Sequence, residues 1–322
     1  MSYYKTRFQM MGTFIDLAVH HHNGEQLLKD CYLQLQEFAQ RFTVNQPHSE
    51  LMNVNVHAGV RPVRVKTDLY ELLKIATTVS LDSNNPFNIA MGPLIKTWCI
   101  GFKDAILPSD AELVSKLHLV NPSQIIFDDV YQTVFLTKVG MQVDLGAIAK
   151  GYFADQIKQY LVSQKVVSGY INLGGNVLTI GCVLGSSEKP WNVGVQDPFG
   201  ARGQVCRMVP IKGKSVVTSG VNERFIEHNG KQYHHLLDAK TGKPIVTDIV
   251  SVTIISKLSI DGEILSTAGF LSSANDALAY LNQRPHIEAI VISEQGQVHV
   301  TDGLIDDGQI IIEKCNKKFT YI

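Results

Sequence analysis

The sequence predicts an α+β fold, with mixed sheets and flanking helices. Three observations support it. Apolar residues recur at helical spacing in some segments, as in Leu27, Leu28, Cys31, Leu35 and Phe38. Other segments read as strands, such as the hairpin 125–136 and the apolar run 249–256. Helical and extended segments do not alternate strictly, which disfavours a doubly wound parallel sheet. The 322 residues are enough for about two domains at ~150 residues each. No linker rich in Pro, Gly or Ser divides them. The expectation is one domain over 1–322, as a single unit or as two closely packed α+β lobes.

In chain order, residues 6–20 read as a strand interrupted at Met11-Gly12-Thr13, where Gly suggests a bulge or a close ligand approach. His20-His21-His22 ends it. Adjacent strand side chains alternate faces, so these three do not make a metal site by themselves. Helices follow over 25–41, over 67–82 with Thr67-Asp68 as its cap, and over 109–118 started by Ser109-Asp110. A helix starts near Ala147 and runs to about Ser163. Strands are expected near 169–173, 177–183, 191–195, 205–211, 223–228 and 232–237. Strand 249–256 precedes a helix over 261–282 and strands 288–293 and 297–301.

Composition narrows the function. Hydrophobic residues are 45% and charged residues 18%, enough apolar material for a core and too little charge for a disordered chain. Lys plus Arg number 29 and Asp plus Glu 30, a net charge of −1. The positive excess of a predominantly nucleic-acid-binding chain is missing. Cys31, Cys99, Cys182, Cys206 and Cys315 are widely spaced with no C-x-x-C, which favours buried thiols over a disulfide framework or a zinc ribbon. The uncharged stretch Val167–Ser187 contains Gly174, Gly175 and Gly181, so it reads as strand–turn–strand and not as a membrane span. With Met1 as the start, a cytoplasmic protein is expected; a trimmed export signal or lipid anchor would leave the same sequence.

Four clusters hold residue types suited to chemistry. In Asp144-Leu-Gly-Ala-Ile-Ala-Lys150, a Gly turn opens a helix whose free amides suit an anion, with Lys150 able to reach a phosphate. The alternative is a capped helix with a surface lysine. Asn172-Leu-Gly-Gly-Asn176 is a tight hairpin or bulge, or a place where backbone approaches a ligand. Thr218 and Ser219 offer hydroxyls in a turn, upstream of His234-His235, of which only one can face a shared site. Glu263 and Thr267 are i and i+4 on a helix, a carboxylate and a hydroxyl suited to Mg2+. The alternative is a Glu capping the helix start with Thr267 packed inside. There is neither G-x-G-x-x-G nor G-x-x-x-x-G-K-[ST].

Taken together and in order, these stretches resemble the FAD:protein FMN transferases, the ApbE-type flavin transferases. The matching pieces are Met11-Gly12-Thr13, Phe87–Trp98, Asp144–Gly151 with Asp155, Asn172–Gly175, Trp191–Pro198, Thr218-Ser219-Gly220, His235–Asp238 with Thr241-Gly242, and Ser266-Thr267. The resemblance implies an ApbE-like, T-fold-related catalytic unit. It implies Mg2+-dependent splitting of FAD, with FMN joined to a Thr or Ser hydroxyl of an acceptor flavoprotein and AMP released. It further implies His235 as the base on that hydroxyl. Met11, Trp98, Asp144, Lys150, Gly174, Gly175, Thr218 and Ser219 fall to FAD. The Ala147 carbonyl, Glu263 and Thr267 fall to the metal, with neighbouring Asp261 as the alternative carboxylate. This chain departs from the family pattern by Glu263 in place of Asp, by Asn45 where an aromatic is frequent, by Asn88 in place of Asp, and by Trp98-Cys99-Ile100 in place of Trp-Gly-Phe. Two other readings use the same residues: an Mg2+-dependent FAD pyrophosphatase giving FMN and AMP, and a flavin-binding protein without chemistry.

Overall fold

The alternation of the first twenty residues becomes two strands. In the computed structural model, which describes residues 2–82, 85–183, 188–306, 309–310 and 313–314, β1 (Tyr3–Met10) and β2 (Thr13–His20) pair antiparallel. The expected bulge is a hairpin turn. Met11 and Gly12 take φ of 53° and 71°, the left-handed pair that matches strand twist.

The chain continues through α1 (Gly24–Arg41), α2 (Glu50–Val56), β3 (Val63–Arg64), α3 (Thr67–Leu81), α4 (Gly92–Trp98) and α5 (Asp110–Leu117). Next come β4 (Ile125–Asp128), β5 (Thr133–Leu136), α6 (Ala149–Ser163), β6 (Gly169–Leu173), β7 (Asn176–Ile180), β8 (Trp191–Gln196) and β9 (Val205–Ile211). Then follow β10 (Ser215–Gly220), β11 (Phe225–His228), β12 (Lys231–His234), β13 (Ile249–Ser256), α7 (Ser259–Ala268), α8 (Ala274–Asn282), β14 (Glu288–Ser293) and β15 (Val298–Val300). Most expected elements are present, with differences in several places. The helix expected over 261–282 is two, because Ser273 caps a new helix by accepting from the Asp276 amide. The start of α3 has no side-chain cap from Thr67 or Asp68, since both lie inside the helix and Lys66 is its N-cap residue. α2 and α4 are additional short helices. Ser215–Gly220 is a strand where the sequence reads as a turn.

The chain forms two compact units. One comprises the first 37 residues, Lys150–Gly220 and the chain from Thr247 onward; the other comprises Phe38–Ala149 and Val221–Val246. The first is built on an antiparallel sheet ordered β1-β2-β6-β7-β10-β13-β14-β15. α7 lies on β7, β10 and β13, and α8 on β14 and β15. The opposite face packs on β8 and β9, where Val193, Val195, Val209 and Ile211 meet Val216, Ile255, Ile290 and Ile292. β10 and β13 therefore carry side chains buried on both faces.

The second unit has its core around Met91, Leu94, Trp98, Leu113 and Val120, with a small sheet ordered β3-β5-β4 and the hairpin β11-β12. Arg41 holds it at the junction of α1, α2 and α3: Nε and Nη2 meet Glu50, and Nη1 and Nη2 meet both Asp68 oxygens at 2.7 and 2.6 Å. Among the described residues, Cys31, Cys99, Cys182 and Cys206 form no disulfide; Cys31 is buried and the other three half-buried. Cys315 and residues 184–187 lie outside the described residues. No helix among those described is long and apolar enough to cross a membrane.

Burial raises the Asp68 carboxyl, but the bonds from Arg41 and the Leu69 amide outweigh it and hold Asp68 below its ordinary value. A depressed carboxyl contributes stability above its unfolded pKa of ~4, lost as pH falls through the folded value. Arg41→Leu leaves two partly buried carboxylates without their cation and should destabilise the protein by about 3 kcal/mol at pH 7. Urea melts should show a gap between variant and parent that narrows below pH 4. A constant gap would remove Asp68 from this role.

Candidate functional site

In the first unit the site is organised by α7. Asp155, one turn into α6 from Gly151, accepts the Ser259 and Ile260 amides at 2.8 and 2.9 Å. These are the first orphan donors of α7, which has no cap of its own. Gly151 makes this helix crossing close: a Cβ there would lie 2.5 Å from the Ser259 carbonyl oxygen and 2.8 Å from Glu263 Cγ. Farther along, Ser266 donates to the Glu263 carbonyl, so Ser219 on β10 donates to Ser266 Oγ at 2.8 Å.

Held in this way, α7 points Glu263 inward, 5% exposed. Its Oε1 accepts Asn176 Nδ2–H at 2.8 Å and faces Lys150 Nζ at 3.4 Å. Lys150 is the second residue of α6 and half-buried. Thr267, one turn on from Glu263, is half-buried. Asp261 sits on the other side of α7, and burial raises its carboxyl. A carboxylate and a hydroxyl one turn apart are hard oxygen donors, so the chemistry of this pair fits Mg2+.

The hairpin turns lie at the sheet end that carries Asn176. Gly174 and Gly175 take φ of 69° and 100° between β6 and β7. Gly174 presses on Thr13, whose Oγ1 lies 2.3 Å from where a Cβ would stand. The two turns therefore approach so closely that a side chain at 174 would not fit. Thr218 and Ser219 are in β10 and not in a turn, so they cannot share a face. Ser219 is turned to α7, while Thr218 meets Thr253 across the strands at 2.9 Å.

The second unit carries Asp144, Ala147, Trp98 and His235. Asn55, 5% exposed, pairs with both backbone groups of Val143 at 2.8 and 3.0 Å, as a strand would, and the Asp144 amide donates to Ile89. Asp144 then accepts the Gly146 amide at 2.7 Å, forming the turn. Burial raises the Asp144 carboxyl against that amide, Arg224 and Lys96. The helix begins at Ala149, two residues later than expected, and Ala147 is an exposed turn residue. Trp98 is 2% exposed, and its Nε1–H donates to the Gly242 carbonyl at 2.8 Å. It is a core residue that fixes the Asp238–Gly242 turn. The two histidines have different backbone partners, and His235 lies just past the end of β12 rather than in it. His234 Nε2 is bound to the Ile245 carbonyl, and burial lowers its pKa. His235 Nδ1 meets the Arg224 carbonyl at 3.2 Å. A carbonyl only accepts, so the proton is on Nδ1 and Nε2 is the basic nitrogen.

The structure thus brings Lys150 and Glu263 together in the first unit, which also holds Thr267, and joins Trp98 to the 238–242 turn in the second, which also holds His235. Asp155, Asn176, Ser215 and Ser259 have no role in the sequence reading. A polar residue directly after Gly-Gly in an apolar strand was the available signal for Asn176.

Comparison with known proteins points one way. A sequence profile described as the ApbE family matches residues 11–291. The chain is 38% identical over 289 residues to a Klebsiella pneumoniae (strain 342) FAD:protein FMN transferase, covering 90% of this chain and 89% of that protein. It is 35% identical to the Treponema pallidum (strain Nichols) FAD:protein FMN transferase, covering 89% and 84%. The crystal structure of the Thermotoga maritima ApbE protein superposes with a TM-score of 0.86 at 27% identity, over 94% of this chain and 98% of that one.

Burial pushes the Asp155 carboxyl up, against its two amide donors and with Asp261 adding to the rise, to about 6. Between ~4 and that value the folded protein binds more protons than the unfolded chain, so stability falls as pH rises. In the protein without metal, Asp155→Asn should flatten this slope by on the order of 2 kcal/mol across the window. Equal slopes in pH-resolved urea melts would contradict it.

Proposed function

The chain belongs to the ApbE family, and from that premise we propose that it transfers the FMN moiety of FAD to a Thr or Ser hydroxyl of an acceptor flavoprotein, releasing AMP. The observation that carries this reading is the meeting of Lys150 and Glu263 at 3.4 Å on two helices locked by Asp155. One cation for a phosphate and one buried carboxylate for a metal are what a pyrophosphate split requires. Mg2+, when bound, would neutralise charge on the pyrophosphate oxygens.

The chain's own residues supply the rest. Lys150 Nζ holds a phosphate oxygen as a point charge. Glu263 and Thr267, with the Ala147 carbonyl, are the residues that would hold the metal. Met11, Asp144, Gly174 and Gly175 are assigned to FAD. Ser219, bonded to Ser266, and Trp98, bonded to Gly242, are assigned to shaping its surroundings, and Thr218 is kept as a flavin residue of the same strand. The acceptor oxygen attacks the FMN phosphorus, its bond to the AMP oxygen breaks, and His235 Nε2 takes the hydroxyl proton. AMP leaves with the bridging oxygen. A cytoplasmic site of action belongs to this proposal.

Incubating the protein with FAD, Mg2+ and an acceptor domain should raise the acceptor's mass by one FMN less water. AMP and FMN produced equally without acceptor would favour the pyrophosphatase, and intact FAD throughout would favour a binding protein. His235→Ala should lower transfer by at least a hundredfold, in the range of general base loss, with FAD affinity within a few-fold. His234→Ala, whose ring is tied to Ile245, should be milder. Equal losses would place the base elsewhere.

A further inference from the structure

We propose that Asn176 is a positioning residue that aims the second oxygen of Glu263 at a divalent cation. This rests on the reading of Glu263 as a metal ligand. Asn176 is 1% exposed and belongs to a chain of buried polar groups that includes Ser215 and Ser259, both 0% exposed. Ser215 Oγ on β10 lies 3.0 Å from Ser259 Oγ at the start of α7. Ser259 donates to Asn176 Oδ1 at 2.6 Å, and Asn176 Nδ2 donates to Glu263 Oε1 at 2.8 Å.

The order of donors fixes the amide. Were Asn176 reversed, its carbonyl oxygen would face a carboxylate, acceptor against acceptor. Ser259 prevents that reversal by supplying a hydroxyl hydrogen to Oδ1. Asn176 and Lys150 both engage Oε1. Among the described residues neither a hydrogen bond nor an ion pair engages Oε2, which is left to a ligand. A glutamate arm has three torsions, and burial alone does not choose among its rotamers. The amide chooses, and does so from β7, the strand that follows the Gly174-Gly175 turn. Outer partners of this type hold a metal ligand in its binding geometry.

The test measures Mn2+ binding by the EPR signal of the free ion, with and without FAD and with no acceptor present. Asn176→Ala should weaken binding about 10–100-fold. Ser259→Ala removes only the hydroxyl that orients the amide and should weaken binding less, in the same direction. It keeps the test open should Asn176→Ala not fold, which a thermal melt shows. In turnover, the Mg2+ concentration for half-maximal rate should rise for both, with kcat at saturating Mg2+ within a few-fold of the parent. Glu263→Gln is the control that should lose binding outright. Parent-like Mn2+ affinity in the folded variants would overturn the proposal. No Mn2+ binding by the parent, or full binding by Glu263→Gln, would overturn the metal reading of Glu263 and the proposal with it.

Discussion

A buried carboxylate must be given partners, and the first unit is arranged around supplying them to Glu263. Taking an ion out of water costs several kcal/mol unless charge and hydrogen bonds replace the lost solvent. Here the replacement is one ammonium and one amide, Lys150 and Asn176. Both work only if α7 stays in place. Its first amides are held by Asp155, and Ser266 in its last turn is held by Ser219. Gly151 lets α6 approach closely enough for this. The packing constraint and the chemistry are therefore the same constraint. A side chain at 151 would disturb the crossing and, through it, the carboxylate.

The spacing of residues 144–155 takes its meaning from the same helices. Asp144 forms the turn, Lys150 faces Glu263, Gly151 sets the helix distance and Asp155 caps the partner helix. Lys150, Gly151 and Asp155 act together because i, i+1 and i+5 on one helix can all address a helix crossing it. In the second unit, Asn55 and Trp98 do comparable work through backbone carbonyls. They fix the Val143 segment beside Asp144 and the 238–242 turn.

Much of this was legible in the sequence where period and turn chemistry agree. α1, α3 and α5 follow from apolar spacing, and Ser109 forms the capping box that its position suggests. β10 was not legible, because Ser215-Val-Val-Thr-Ser-Gly is buried on both faces and shows no alternation. That cost the expectation for Thr218 and Ser219, which point to opposite sides of the sheet. The break between α7 and α8 was missed because a local cap at Ser273 overrides a continuous apolar pattern. Asn176 and Asp155 were visible as residues, but their partners are 87 and 104 positions away. Long-range polar pairing has no period to read.

The most direct test of the α7 arrangement is a crystal of the protein grown with FAD and Mn2+, with diffraction recorded at the manganese edge. The expected result is an anomalous peak within bonding distance of Glu263 Oε2 and Thr267, with Asn176 still bonded to Oε1. A peak at Asp261, or none on α7, would contradict it.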